Sequence, residues 1–275
     1  MSPNANVVGA AFVPGLPHLL AAMPAPGWAA LADATRAVGE ELRARGAETL
    51  MIVSSQWYNV LGVQVQMRPE LRGTRVDENW YPFDFGTIDF ALRNDVPLAE
   101  AWLKEIRADG FQVRPTDHPD FPIDTGLVTA TRLLDPACAC AVAQISLNLY
   151  GTPESVEKLG AAARRAAAAS GRKVAIIAIA GLSSRPLNAW IEPGKDRIFS
   201  ATHDQWNRRI LDLIAAGRAD DAFKLREEFS RAAVADSQMR PLSYLRGAVD
   251  LSVNAKVHAY APVWGMGASV VSWLS

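Results

Sequence analysis

Three short stretches put polar side chains where chemistry is usually done. "PGLPH" sets His18 in a Pro/Gly turn after an apolar run, "SSQW" ends a second run, and "GLSS" ends a third. In open α/β sheets ligands gather at the carboxyl ends of strands. A centre in this chain should therefore draw on Gly15 to His18, Ser54 to Trp57, and Gly181 to Ser184. Two chemistries suit such a place. A divalent metal doing hydrolytic or oxygen chemistry needs about three ligands from His, Asp and Glu, with positions left open. A serine nucleophile needs a base within reach.

Spacing alone assembles neither. The chain has four histidines, His18, His118, His203 and His258, and no HxH, HxxE or HExxH pairing. His118 falls in a Pro-rich loop, His203 at a helix start and His258 in a C-terminal strand, so each reads as surface or structural. His18 is the best placed, but a lone histidine is weak evidence of a ligand. "GLSS" is not the G-x-S-x-G elbow. "GMGAS" lacks the strand–turn–helix setting and the acid of a dinucleotide fingerprint. Trp57, Trp80 and Trp264 lie near loops, as pocket lining or, more ordinarily, as core and interface. Cys138 and Cys140 read as buried small residues on one face of a strand, where a bond between them would be strained.

The elements around these stretches alternate. "NVVGAAFVP" reads as a strand, Trp28 to Arg45 as an amphipathic helix closed by Gly46, and "AETLMIVSSQW" as a buried strand. "GVQVQM" looks like an edge or hairpin strand, and "ENWYPFDFGTIDFALRND" is aromatic, turn-rich and without helical period. "PLAEAWLKEIRADG" is a helix and "FQVRP" a short strand. A loop "TDHPDFPIDTG" follows, then a helix from "LVTATRLLD" and a buried strand in "CACAVAQISLN". "SVEKLGAAARRAAAASGRK" is a helix of high propensity ended by Gly171, and "VAIIAIAGLSS" is another central strand. Three helices follow, around "HDQWNRRILDLIAAG", "ADDAFKLREEFSRAA" and "MRPLSYLRGAVDLS", and the end reads as two strands about a Gly turn. This is one α/β domain over residues 1–275, with a central, mainly parallel or mixed sheet flanked by helices.

The chain has 275 residues, 49% hydrophobic, enough for a substantial core. Its formal net charge of -1 gives no electrostatic case for nucleic acid or an anionic membrane as partner. No apolar run reaches a membrane span, and the N-terminus lacks the pattern of a signal peptide, so a soluble cytoplasmic protein is expected.

In order and spacing, "AFVPGLPHL", "VSSQW", "DFGTIDFALRNDVPLAEAW", "FPIDTGL", "SGRKVAIIAIAGLSS", "QWNRRILDLIAAG" and "GMGASVVSW" resemble the class III extradiol ring-cleavage dioxygenases over about residues 7 to 273. Within them the chain looks most like subunits of the 2-aminophenol 1,6-dioxygenases, the α subunit above all. The resemblance implies an oxidoreductase complex that inserts both atoms of O₂ into a small aromatic ring at a non-haem Fe(II). Catalytic chains of this kind hold the iron with two histidines and a glutamate and use a further histidine as acid/base. Aligned with them, the first ligand falls on Gly15, while His18 matches a second, non-ligating histidine. The second ligand falls on Gln56, the glutamate on Asp236, the acid/base histidine on Ser184, and a tyrosine on Thr125. Glycine offers no ligand, and Gln is a weak, neutral donor to Fe(II).

The resemblance therefore implies a non-catalytic, scaffolding α subunit with no metal or cofactor of its own. It would pair with a homologous catalytic β subunit that carries Fe(II), as α2β2 or a similar heteromer. Gly15, His18, Gln56, Thr125, Ser184 and Asp236 would line a vestigial pocket, and His18 would be a bystander of a lost site. Two other readings stay open. One is a free-standing metal enzyme with a rearranged site built on His18 and Asp236, and the other a non-enzymatic binding protein that uses the pocket.

Overall fold

The computed structural model describes residues 6–76, 87–253 and 255–274. Eight strands join in one sheet of order β6-β3-β7-β2-β8-β1-β10-β9. They are β1 (Val7–Val13), β2 (Thr49–Asn59), β3 (Val63–Gln66), β6 (Val113–Thr116), β7 (Ala141–Asn148), β8 (Val174–Ile179), β9 (Lys256–Val263) and β10 (Met266–Trp273). The centre is parallel: β2 runs with β7 and β8, and β8 runs with β1. Its four strands are almost wholly buried, as a sheet covered on both faces demands. The flanks are mixed, since β3 is antiparallel to β7, and β10 is antiparallel to both β1 and β9. The first and last strands of the sheet in sequence thus lie side by side, Ala10 opposite Trp273.

Helices cover both faces. On one lie α1 (Pro26–Ala44) and α3 (Thr125–Leu134), on the other α2 (Val96–Ala108), α4 (Pro153–Ser170), α5 (Ala201–Ala215), α6 (Ala219–Lys224), α7 (Arg226–Ala233) and α8 (Arg240–Ala248). Their starts follow from side-chain chemistry. Asp95, Asp124, Thr152 and Ser200 each accept a hydrogen bond from a first-turn N–H of α2, α3, α4 and α5. Helices α4 and α8 cross so closely that a Cβ on Gly160 would sit 2.0 Å from Tyr244 O, and one on Gly247 1.8 Å from Glu157 O. Among the described residues no helix is long and apolar enough to cross a membrane.

Four expectations need correction. Strand β3 is not at an edge: β6, shortened and interrupted by Pro115, pairs with it in parallel and takes the edge itself. Part of the stretch read as irregular forms a second, two-stranded sheet, β4 (Glu70–Arg75) with β5 (Ile88–Arg93). The rest of that stretch, with Trp80, lies outside the described residues. The helix read through "ADDAFKLREEFSRAA" breaks at Leu225 into α6 and α7. Cys140 is buried but Cys138 is exposed with φ 51°, and both precede β7, so only one is a core residue.

Candidate functional site

The carboxyl ends of β1, β2 and β8 converge, and most of the singled-out residues meet there. After Val13 the chain turns through Gly15 into a 3-10 turn, Pro17–Leu20. Gly15 is pressed against two neighbours: a Cβ there would lie 2.5 Å from Ile179 Cγ2 and 2.6 Å from Gly126 Cα. Its carbonyl accepts a hydrogen bond from Gln56 Nε2 at 3.0 Å. That contact falls where β2 carries an irregularity, its pairing with β7 lapsing between Val53 and Tyr58 while Ser54 still pairs with Ile179 of β8.

Beneath this contact lies a polar knot in which a half-buried Asp124 meets the buried Ser54 and Gln144. Asp124 Oδ1 accepts from Ser54 Oγ (2.8 Å) and Leu127 N–H (2.9 Å), and Oδ2 accepts from Gln144 Nε2 (2.6 Å). Asp124 is therefore at once the cap of α3 and the tie between β2, β7 and that helix. Gly126 sits inside the knot, where a Cβ would meet Ser54 Oγ at 2.8 Å and Gln56 Cδ at 3.1 Å. Thr125, also buried, accepts from Arg75 Nε at 2.6 Å.

Asp236 stands on the other side of β2. Its Oδ2 accepts from Ser55 Oγ (3.0 Å) and Gly181 N–H (2.7 Å), its Oδ1 from Ser237 Oγ (2.8 Å). Enclosure pushes its carboxyl pKa up, against the lowering effect of the Gly181 N–H, the two hydroxyls and Arg240. The void behind it, bordered by Phe12, Phe229 and Met239, measures about 10 Å³, space for at most one water molecule. Three successive residues after it, Ser237, Gln238 and Met239, are left-handed at φ 50°, 56° and 60°. Ser184 lies nearby, its N–H and hydroxyl both donating to Val234 O.

His18 belongs to a different neighbourhood. Its ring meets Trp28 edge-on at 5.0 Å and lies 6.5 Å from Trp264. Asp196 fastens that wall, accepting from Trp28 Nε1, Trp264 N–H and Gly265 N–H. Of the other histidines, His118 is exposed. His203 shares a hydrogen bond with Ser200 at the start of α5, and His258 one with Ser272. Trp57 is buried against Phe121.

Chemically the arrangement offers little to a metal. Gly15 has no donor and no room for one, Gln56 directs its NH₂ at a carbonyl, and Asp236 is satisfied by three protein donors. Among the described residues no three His, Cys, Asp or Glu side chains gather as a metal site. These residues do not fit Fe(II).

Residues 9–271 match the family described as "Catalytic LigB subunit of aromatic ring-opening dioxygenase". The chain belongs to the LigB family. Among its LigB-type relatives, the 2-aminophenol 1,6-dioxygenase alpha subunit of Pseudomonas sp. is 34% identical over 272 residues, covering 98% of this chain and 99% of the relative. The beta subunit named for the same enzyme is 28% identical over 301 residues, covering 98% and 94%. An uncharacterized protein from Escherichia coli K12 shares the fold, with a TM-score of 0.68 at 13% identity over 96% of this chain and 99% of that one.

Ser55 lies in the stretch expected at the strand ends, but spacing did not reveal Asp124, Gly126 or Arg240, all of which shape this LigB-type site. One signal was available for Asp124: an Asp before "TGLVTATRLL" is a helix cap.

Proposed function

We propose that this chain is the non-catalytic, scaffolding α-type subunit of a heteromeric, Fe(II)-dependent extradiol dioxygenase acting on an aminophenol- or catechol-type ring. A homologous β-type chain would carry the iron and the small aromatic substrate, in an α2β2 or similar assembly in the cytoplasm. The observation that carries this reading is the packing at position 15. A ligand there would have to displace a buried strand residue and the backbone of α3. The alternative built on His18 and Asp236 gains nothing from the geometry: the His18 ring is packed among tryptophans, and the Asp236 carboxylate is committed to Ser55 of β2 and to Gly181 just after β8.

The test is metal content. The purified chain is dialysed anaerobically against Fe(II), alone and after assembly with the host's β-type chain, and native mass spectrometry assigns the iron. Iron on the β-type partner and none on this chain is the expected result. About one iron per copy of this chain, purified alone, would overturn the proposal.

A further inference from the structure

The turns that end β2 and β7 carry side chains that turns seldom carry. Turn tips are ordinarily Gly, Pro, Asn, Asp or Ser. Here Val60 and Leu61 are 53% and 68% exposed, and Leu149 and Tyr150 46% and 78%. The two turns are fastened to each other: Leu149 N–H donates to Asn59 O at 2.9 Å, and Asn148 Nδ2 to Gly62 O at 2.9 Å. Arg240, itself buried, adds a clamp from below. Its Nη1 donates to the carbonyls of Asn148 (3.0 Å), Leu149 (2.7 Å) and Gly151 (3.3 Å). The apolar crest is held in place and yet left exposed among the described residues.

A second observation meets the first at Arg240. Its Nε holds Ser237 O at 2.9 Å, in the left-handed run of Ser237, Gln238 and Met239. Val234, a β-branched residue at φ 51°, is 45% exposed just before that run. Left-handed non-glycine residues cost on the order of 1 kcal/mol or more each and persist only where the surrounding structure holds them, commonly at functional sites. Strain and exposed apolar surface thus adjoin at one end of the sheet, beside Asp236.

We propose that the crest of Val60, Leu61, Leu149 and Tyr150 is the contact surface for a homologous β-type subunit. Its composition selects a protein partner. No Asp, Glu, Lys or Arg occurs from Trp57 to Gln66 or from Ile145 to Pro153. Such a surface offers nothing to a polyanion and matches the charge-depleted, Tyr-containing core of a protein interface. Its size fits too. The exposed surface of the four residues sums to roughly 400–500 Å², the size of the largest apolar patch on a typical monomer, which is often a functional one. That is more than half of the ~800 Å² each partner contributes to a standard interface. The choice of a β-type partner rests on the subunit reading above and on two relatives named as α and β subunits of one enzyme.

The test co-expresses this chain with the host chain most similar to the 2-aminophenol 1,6-dioxygenase beta subunit. It compares wild type, Leu61→Glu/Tyr150→Glu, and a control pair at exposed apolar sites in other loops, Met23→Glu/Val253→Glu. Assembly is read by native mass spectrometry and a titration, folding by the melting temperature of each isolated chain. The crest variant should bind at least about 100-fold more weakly with its melting temperature unchanged, while the control binds as wild type. Hydrogen exchange at residues 58–62 and 148–151 should slow in the wild-type complex. A crest variant that assembles normally, with no such slowing, overturns the surface and leaves the subunit reading intact. A wild-type homodimer lost in the crest variant assigns the surface to a second copy instead. A wild-type chain that pairs with no β-type homologue overturns the subunit reading, and this proposal with it.

Discussion

Placing a methyl group at position 15 tests whether the centre is closed by packing. Carbon atoms rest about 3.5–4.0 Å apart, and an added Cβ at Gly15 would stand 2.5 Å from Ile179 Cγ2 and 2.6 Å from Gly126 Cα. Neither neighbour has an easy escape. Ile179 is fully buried at the end of β8, and Gly126 Cα is backbone, held by the Asp124 knot. Overpacking of a tight core costs about 1–3 kcal/mol, and with two rigid neighbours Gly15→Ala should fall at the upper end. Gly15→His, the change that would reinstate an imidazole, should cost more. For a chain of this size about 3 kcal/mol lowers Tm by roughly 5–10 °C. Thermal melts of both variants at fixed concentration read the cost directly. Gly15→His/Gln56→His, dialysed anaerobically against Fe(II), reads the site and should bind no stoichiometric iron. A Gly15→Ala protein that melts with wild type would refute the packing argument, and a folded double variant with one tight iron would refute closure.

Gly247→Ala puts a Cβ 1.8 Å from Glu157 O at the α4–α8 crossing, so it should cost more than about 3 kcal/mol and leave little folded protein, measured as soluble yield and urea midpoint. Asp236 has a raised pKa because its carboxyl is enclosed, so the folded chain holds that proton to higher pH than the unfolded chain does. Its contribution to stability is full below the ordinary carboxylate pKa and is lost as pH rises through the raised value; Asp236→Asn should flatten the fall in stability over that window, and an unchanged slope in urea melts would exonerate the group.

Much of the architecture could be read from local pattern. The unbroken apolar runs at Val7–Val13, Thr49–Val53 and Val174–Ile179 are the buried parallel strands, and the amphipathic stretches at 28–45 and 97–110 are α1 and α2. What escaped depends on distant partners. β3 looks like an edge because only four residues alternate, and nothing local announces that β6 will shield it. β4 and β5 hide because each buries only one residue, Leu71 in the first and Ile88 in the second. Leu225 carries no breaker, so the division of α6 from α7 has no local signature. At the site, the residue types at 15, 56 and 184 showed what was missing. They could not show that Gly126 fills the space opposite Gly15, because that fit is a property of two chain segments more than a hundred positions apart.

The pairing of Ala10 with Trp273 sets the order in which this molecule can be completed. β1 leaves the ribosome before the other strands of the sheet, yet its flank toward β10 stays bare until every one of them has followed. In that interval the nascent protein carries an open row of unpaired N–H and C=O groups in the middle of what will become its sheet, the kind of edge that recruits other chains. Closure waits on the least local contact in the fold, which makes it slow. Yield of this protein is thus a race between the arrival of its last hairpin and the encounter of two unfinished copies. Conditions that slow synthesis lengthen the exposure.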